Sequence, residues 1–193
     1  MSTSGYLPPE CWRGMYRVMQ RANVNAIRVS LETGMRIDDV LSMRPEQLDE
    51  GLTFVYVAKK TKKPGTATLS LELWRELKLS AGELWVFPGR DPRKHRTRQA
   101  VYRDLKKAAS VLGIEGQISP HSARKTFAVE LRKKEGIAEV QKALQHTDRN
   151  VTRIYAYADI DARSSGDVEA FAEILAEKIC KKIEQLFILR GIF

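Results

Sequence analysis

The chain has 193 residues, 43% of them hydrophobic, with 33 Lys and Arg against 24 Asp and Glu and a net charge of +9. That length suits one domain with a full core, and a pI of about 9.6 points to an anionic partner, nucleic acid first. The two cysteines, Cys11 and Cys180, lack any CxxC or Cys/His spacing, which argues against a zinc module and fits a reducing compartment. No apolar run reaches ~18 residues and no signal-peptide pattern opens the chain, so the expectation is a soluble, cytoplasmic protein with no membrane partner.

In chain order, PPECWRGMYRVMQRA (8–22) predicts a helix with Pro8 and Pro9 at its start. Residues 24–33 predict a second, apolar helix that ends at Gly34. Arg36 follows at once, then DDVLSM as a further helical piece. GLTFVYVA (51–58) is β-branched and aromatic and predicts a strand, KKTKKPG a turn, TATLSL a strand pairing back, and LWVFP (84–88) a third strand. Helices are expected over 70–79, 97–112, 120–135, 137–145 and 149–157. A polar link, DARSSGD, leads to a last helix in which Phe171, Ile174, Leu175, Ile179, Ile183 and Leu186 form one apolar stripe, with Asp167 as its N-cap. The expected division is therefore 1–166 and a helical tail, 167–193, that packs at home or on a neighbouring copy.

The chemistry-bearing residues are spread along this frame. Ser119-Pro120 is a helix opening that places His121 and Arg124 on one face of the first turn, where free N–H groups and the helix dipole favour a phosphate. His146 ends one predicted helix, and the next carries Tyr155 and Tyr157. Arg36 follows the Gly34 stop, with Asp39 three residues on to hold its guanidinium. Lys59, Lys60, Lys62 and Lys63 crowd the hairpin tip, and RDPRKHRTR (90–98) contributes Arg93, Lys94, Arg96 and Arg98. Except for Lys60, these basic residues, together with Lys125, are expected to contact a DNA backbone.

Their order and spacing resemble the tyrosine recombinase (phage integrase) family. TGMRIDDVLSM is similar to the box around that family's first catalytic arginine, AKKTKK and the following strand to its lysine hairpin, SPHSARKTFA to its HxxR box, and LQHTDRNVTRIY to its final box, with a tyrosine nine residues after a histidine. The match runs from about Tyr6 to Tyr157. It implies an α+β, mainly helical catalytic fold with a small antiparallel sheet. By position it implies Arg36 and Arg124 as phosphate clamps, Lys60 as the hairpin lysine, His121 and His146 as active-site histidines, and Tyr155 as nucleophile. Gln145 stands where the family usually has Gly, Ala123 where it has Leu, Lys125 where His is frequent and Asp39 where it has Glu; none of these removes a catalytic group. Family members usually carry an N-terminal DNA-gripping domain ahead of this region, so the sequence reads as a fragment or a minimal enzyme.

The implied reaction is transesterification of duplex DNA through a 3′-phosphotyrosine, with no cofactor and no metal. Two arginine forks supply fixed counter-charge to the phosphorus-bound oxygens. Only ~0.1% of a free phenol is ionised at pH 7, so attack needs a base, for which His121 is the better candidate, while His146 donates to phosphate and Lys60 protonates the departing oxygen. The resemblance further implies four protomers on DNA, with tails exchanged, and a nucleoid-associated protein. A DNA-binding regulator of the same fold, a topoisomerase-like relaxing enzyme and a non-nucleic-acid interaction protein are the other readings. The complete catalytic set weighs against the regulator.

Overall fold

The computed structural model describes residues 4–145 and 149–163. Chain contacts divide the protein into a unit Met1–Asp159 and a unit Ile160–Phe193. The tail predicted over 167–193 lies outside the described residues.

The first unit opens with α1 (Pro9–Val18), with Pro9 in its first turn and Trp12 and Met15 buried. The sequence predicts that this helix runs on to Ala22. Instead the chain turns extended at Met19 and Gln20 and restarts as α2 (Arg21–Thr33). The cause lies far away in sequence. The Asp104 carboxylate accepts from the Gln20 amide at 2.9 Å and from the Asn23 side chain at 2.6 Å, capping α2 from outside.

α2 ends at Gly34, which adopts the left-handed conformation at φ 68°. A Cβ there would also strike the ring of Phe127, so both the backbone turn and the close approach require glycine. Thr33 and Ser30 fix the turn: the Met35 amide donates to Thr33 Oγ1 at 3.2 Å, and Ser30 Oγ donates to the Met35 carbonyl at 2.8 Å. Arg36 thus leaves a rigid corner and precedes α3 (Ile37–Leu41).

After α4 (Glu46–Asp49), β1 (Thr53–Val57) and β2 (Pro64–Thr68) form a two-stranded antiparallel sheet, in register from Thr53 opposite Thr68 to Val57 opposite Pro64. β2 starts two residues earlier than the sequence suggests. It ends at Thr68, although the Leu69 amide still donates to the Leu52 carbonyl at 2.9 Å, and Ser70 then donates to Glu32 and caps α5 (Leu71–Ser80). LWVFP is not a third strand. Val86 and Phe87 are buried, but the Val86 amide donates to the Met43 carbonyl, and ladder-like pairing is limited to a single bridge between Pro88 and His95. Proline's missing N–H blocks any continuation there.

α6 (Arg98–Val111) is capped by Thr97, and α7 (Pro120–Glu135) by a reciprocal box between Ser119 and Ser122. α8 (Ile137–Leu144), α9 (Arg149–Ala156) and α10 (Ala158–Arg163) follow. The last of these extends helix into the start of the segment read as a polar link.

The apolar interior has two parts. The larger gathers Trp12, Ile27, Leu41, Phe54, Phe87 and Leu105; full burial of such side chains stabilises by about 1.5–3 kcal/mol each. The smaller joins Ala128, Val140, Leu144 and Ala156, with Tyr155 and Tyr157 against it. α7 belongs to both, through Ala123 and Ala128. Arg124 lies on α7 between these two alanines, where the helix passes from one cluster to the other.

Candidate active site

Arg124 is the centre of the arrangement. It is 3% exposed, and its guanidinium donates to the Gly34 carbonyl through Nη1 and to the Leu144 carbonyl through Nη2, the latter at 2.8 Å. One side chain therefore binds the corner that delivers Arg36 and the end of the helix that leads to His146. Burial pushes its pKa down to about 10. Arg36 adds to the depression, while Tyr155, Tyr56 and Asp39 act against it. It stays protonated through the neutral range, and the charges that act on it identify its neighbours.

Arg36 is half-buried and forms no ion pair among the described residues. The expected Asp39–Arg36 pair is not present. Asp39 is 5% exposed, and its Oδ1 accepts the Lys59 backbone N–H at 2.8 Å. The carboxylate thus anchors the lysine hairpin and leaves the arginine's charge uncompensated by a carboxylate contact.

His121 sits in the first turn of α7, half-buried, its amide donating to Ser119 Oγ at 3.2 Å. Desolvation lowers its pKa below the ordinary 6.5, as do Arg98, Arg124 and Arg36; Asp38 opposes them. The imidazole is therefore neutral at pH 7 and able to accept a proton. Beside it, a groove of about 550 Å³ is lined by Thr97, Arg98, Gln99, Tyr102 and Ser119.

The two tyrosines of α9 and its end differ. Tyr155 is half-buried and within electrostatic reach of Arg124. Tyr157 is turned to Arg132, whose guanidinium lies 4.7 Å from its ring centroid and also holds Asp159 at 3.2 Å. His146 lies outside the described residues.

Lys60 is exposed at the hairpin tip and has no ion pair among the described residues. Lys59, Lys62 and Lys63 are exposed beside it, and Lys62 adopts a positive φ of 56°. The basic loop is less uniform than its sequence suggests. Lys94 is exposed, Arg93 pairs with Asp91 at 3.1 Å, and Arg98 lies 3.7 Å from Asp38. Arg96 is half-buried and turned to Asn23 Oδ1 at 3.2 Å, at the α1–α2 joint. Lys125, grouped with these on sequence, is only 9% exposed.

Tyr56, which the sequence does not single out, is a further candidate, within electrostatic reach of Arg124 and Arg36. Burial raises its phenol pKa, Arg124 and Arg36 pull against that, and Asp39 adds to it, so the hydroxyl stays protonated beside both arginines. The available signal was strand alternation: Phe54 faces the core, and Tyr56, two residues on, shares its face.

Among the described residues, no helix is long and apolar enough to cross a membrane, and no cluster of His, Cys, Asp and Glu is placed to hold a metal ion. The chemical capacity of this grouping is to meet an oxyanion with the guanidinium groups of Arg36 and Arg124, with the Tyr155 phenol and the His121 imidazole within electrostatic reach of Arg124.

The sequence pattern described as "Phage integrase family" matches residues 15–161. Tyrosine recombinase XerD of Lacticaseibacillus casei is 27% identical over 136 residues, covering 65% of this chain and 46% of that protein. The chain thus spans about half the length of this relative. A lambda integrase dimer bound to a COC′ core site superposes with a TM-score of 0.69 at 15% identity, over 81% of this chain and 49% of that one. The catalytic domain of bacteriophage HP1 integrase gives 0.62 at 19% identity, over 87% of this chain and 98% of that domain. At such identities these two structures speak for the fold. With the family pattern extending from α1 to α10 over the Arg36 corner, the hairpin, the α7 box and Tyr155, the chain belongs to the phage integrase family.

Proposed function

We propose that this chain is the catalytic part of a site-specific DNA recombinase that cleaves and rejoins duplex DNA through a 3′-phosphotyrosine. The observation that carries the proposal is the approach of Arg36, His121 and Tyr155 to the buried Arg124, in a site where Asp39 is committed to a backbone amide.

In this reading the Tyr155 phenol attacks phosphorus, a Tyr–O–P bond forms, and the P–O5′ bond breaks. His121 takes the phenolic proton. Arg36 and Arg124 hold the two non-bridging oxygens, whose charge rises in the transition state. Arg124 is preorganised by its carbonyl contacts and meets that charge without rearrangement. Lys60 delivers a proton to the leaving 5′-oxygen as the hairpin settles on DNA, and His146 donates to phosphate. A 5′-hydroxyl of a second strand then reverses the step. One ester replaces another, so the chemistry draws on no nucleotide, cofactor or metal.

Double-stranded DNA is the partner, held by Lys59, Lys62, Lys63, Arg93, Lys94 and Arg98 on the exposed surface. Arg96 and Lys125 act instead as supports of the frame. Strand exchange between two sites calls for four protomers, and the 167–193 segment is the tail exchanged between them. The protein works at the nucleoid. Deleting 167–193 is expected to abolish recombinant products while leaving cleavage; normal recombination by the truncated protein would remove the tail from the assembly.

The test of the function is an SDS-stable covalent adduct on nicked duplexes tiled across the DNA around its own gene. Wild type and Tyr157→Phe should form it and Tyr155→Phe should not. An adduct that survives Tyr155→Phe contradicts the assignment, and relaxed DNA without recombinant products would identify a relaxing enzyme of the same chemistry.

A further inference from the structure

The hairpin tip that carries Lys60 is held at both of its ends. On the β1 side, Asp39 Oδ1 accepts the Lys59 amide at 2.8 Å. On the β2 side, Gln145 Nε2 donates to the Pro64 carbonyl at 3.0 Å. Between them the tip closes on itself, Ala58 N–H to the Lys63 carbonyl at 3.0 Å and Lys62 N–H to the Ala58 carbonyl at 2.8 Å.

Gln145 is unusual in three ways. It ends α8 in the left-handed conformation, φ 53° and ψ 37°, which costs a residue with a Cβ about 1–2 kcal/mol relative to glycine. Its amide lies over Gly65, where any Cβ would collide with Nε2 on one side and the Tyr56 ring on the other. Among the described residues its buried Oε1 has no hydrogen-bond partner. Turning the amide over would set oxygen against the Pro64 carbonyl, so the observed orientation is the bonding one. A two-stranded ribbon is marginal without such outside contacts.

The position gives the contact its meaning. Gln145 follows Leu144, whose carbonyl receives Arg124 at 2.8 Å. A backbone that pins the arginine clamp therefore also pins the strand leading from Lys60.

We propose that Gln145 is a positioning residue: its amide, latched on the Pro64 carbonyl over Gly65, sets the Lys60 hairpin relative to the Arg124 clamp. Resting on the recombinase reading above, the latch acts through Lys60, on the step in which a proton passes from Nζ to the departing 5′-oxygen as P–O5′ breaks.

Two measurements on the full chain test it. The first needs no DNA. In Gln145→Gly, which relieves the left-handed strain and should melt no lower than wild type, amide exchange at Lys59 and Lys62 should quicken by about tenfold while α7 amides stay unchanged. Gln145→Asn tolerates the same backbone but is one methylene short, and should behave as the glycine variant does. Unchanged exchange at the tip overturns the latch.

The second is single-turnover cleavage of the duplex that gives the wild-type adduct, made with oxygen or with sulfur at the bridging 5′ position. Sulfur leaves as thiolate and needs no proton. Gln145→Gly should cleave the oxygen substrate roughly tenfold slower, a misplacement effect, and the sulfur substrate at the wild-type rate. An equal loss on both substrates, or none on oxygen, overturns the link to Lys60. A wild type without any adduct would instead overturn the recombinase reading, with the exchange result still deciding the latch.

Discussion

Arg124 and Lys60 are the two cations with most to do in the proposed reaction, and the fold treats them oppositely. Arg124 is 3% exposed, fixed by the Gly34 and Leu144 carbonyls and lowered in pKa by burial. Lys60 is exposed at a hairpin tip with no ion pair among the described residues. The difference follows from what each is asked to supply. Charge stabilisation is strongest when dipoles and charges are set before the reaction. A general acid must reach an atom that arrives with the substrate, so it is carried as a long exposed side chain on a tip whose ends are held.

The comparison can be broken most severely at the buried end. Arg124→Ala should slow cleavage by roughly 10³-fold. Arg124→Lys should recover little, since one ammonium cannot bind the two carbonyls and the phosphate from a planar fork. Single-turnover rates at saturating DNA test both, and a lysine variant within a few-fold of wild type would show that point charge alone suffices.

The smallest expected effect concerns His121. Its pKa lies below the ordinary 6.5, so the neutral base is present at pH 7 and is lost as pH falls through that lowered value. The midpoint of the acid limb of cleavage should therefore lie below pH 6.5. Arg98→Gln removes one of the cations that depress the imidazole, after burial the largest cause. The acid limb of the pH–rate profile should then move to higher pH. A limb that stays in place in Arg98→Gln, or that moves lower, would argue against His121 as the base.

Part of the frame around the candidate site is legible in the sequence because local rules govern it. Ser119-Pro120 announced the start of α7, and with it the face of His121 and Arg124. The Gly34 stop announced the corner that presents Arg36. What escaped was decided by distant partners. The break between α1 and α2 depends on Asp104, 84 positions from Gln20. LWVFP has the composition of a strand, but its neighbours are Met43 and Arg96, with Pro88 unable to extend a ladder. Helical spacing pairs Asp39 with Arg36, whereas its carboxylate faces the hairpin and takes the Lys59 amide. A cation-rich loop likewise says nothing of which cations turn inward, and Arg96 does so toward Asn23.

The most direct measurement compares Arg124→Ala and Lys60→Ala on the same duplex with oxygen or sulfur at the bridging 5′ position. With oxygen, Lys60→Ala should lose about 10²-fold or more in cleavage rate while DNA affinity is nearly unchanged. With sulfur, that loss should vanish for Lys60→Ala and persist for Arg124→Ala, separating proton donation from charge stabilisation. A Lys60→Ala defect that sulfur leaves untouched, or an Arg124→Ala defect that it repairs, would contradict the division of labour between the buried clamp and the exposed tip.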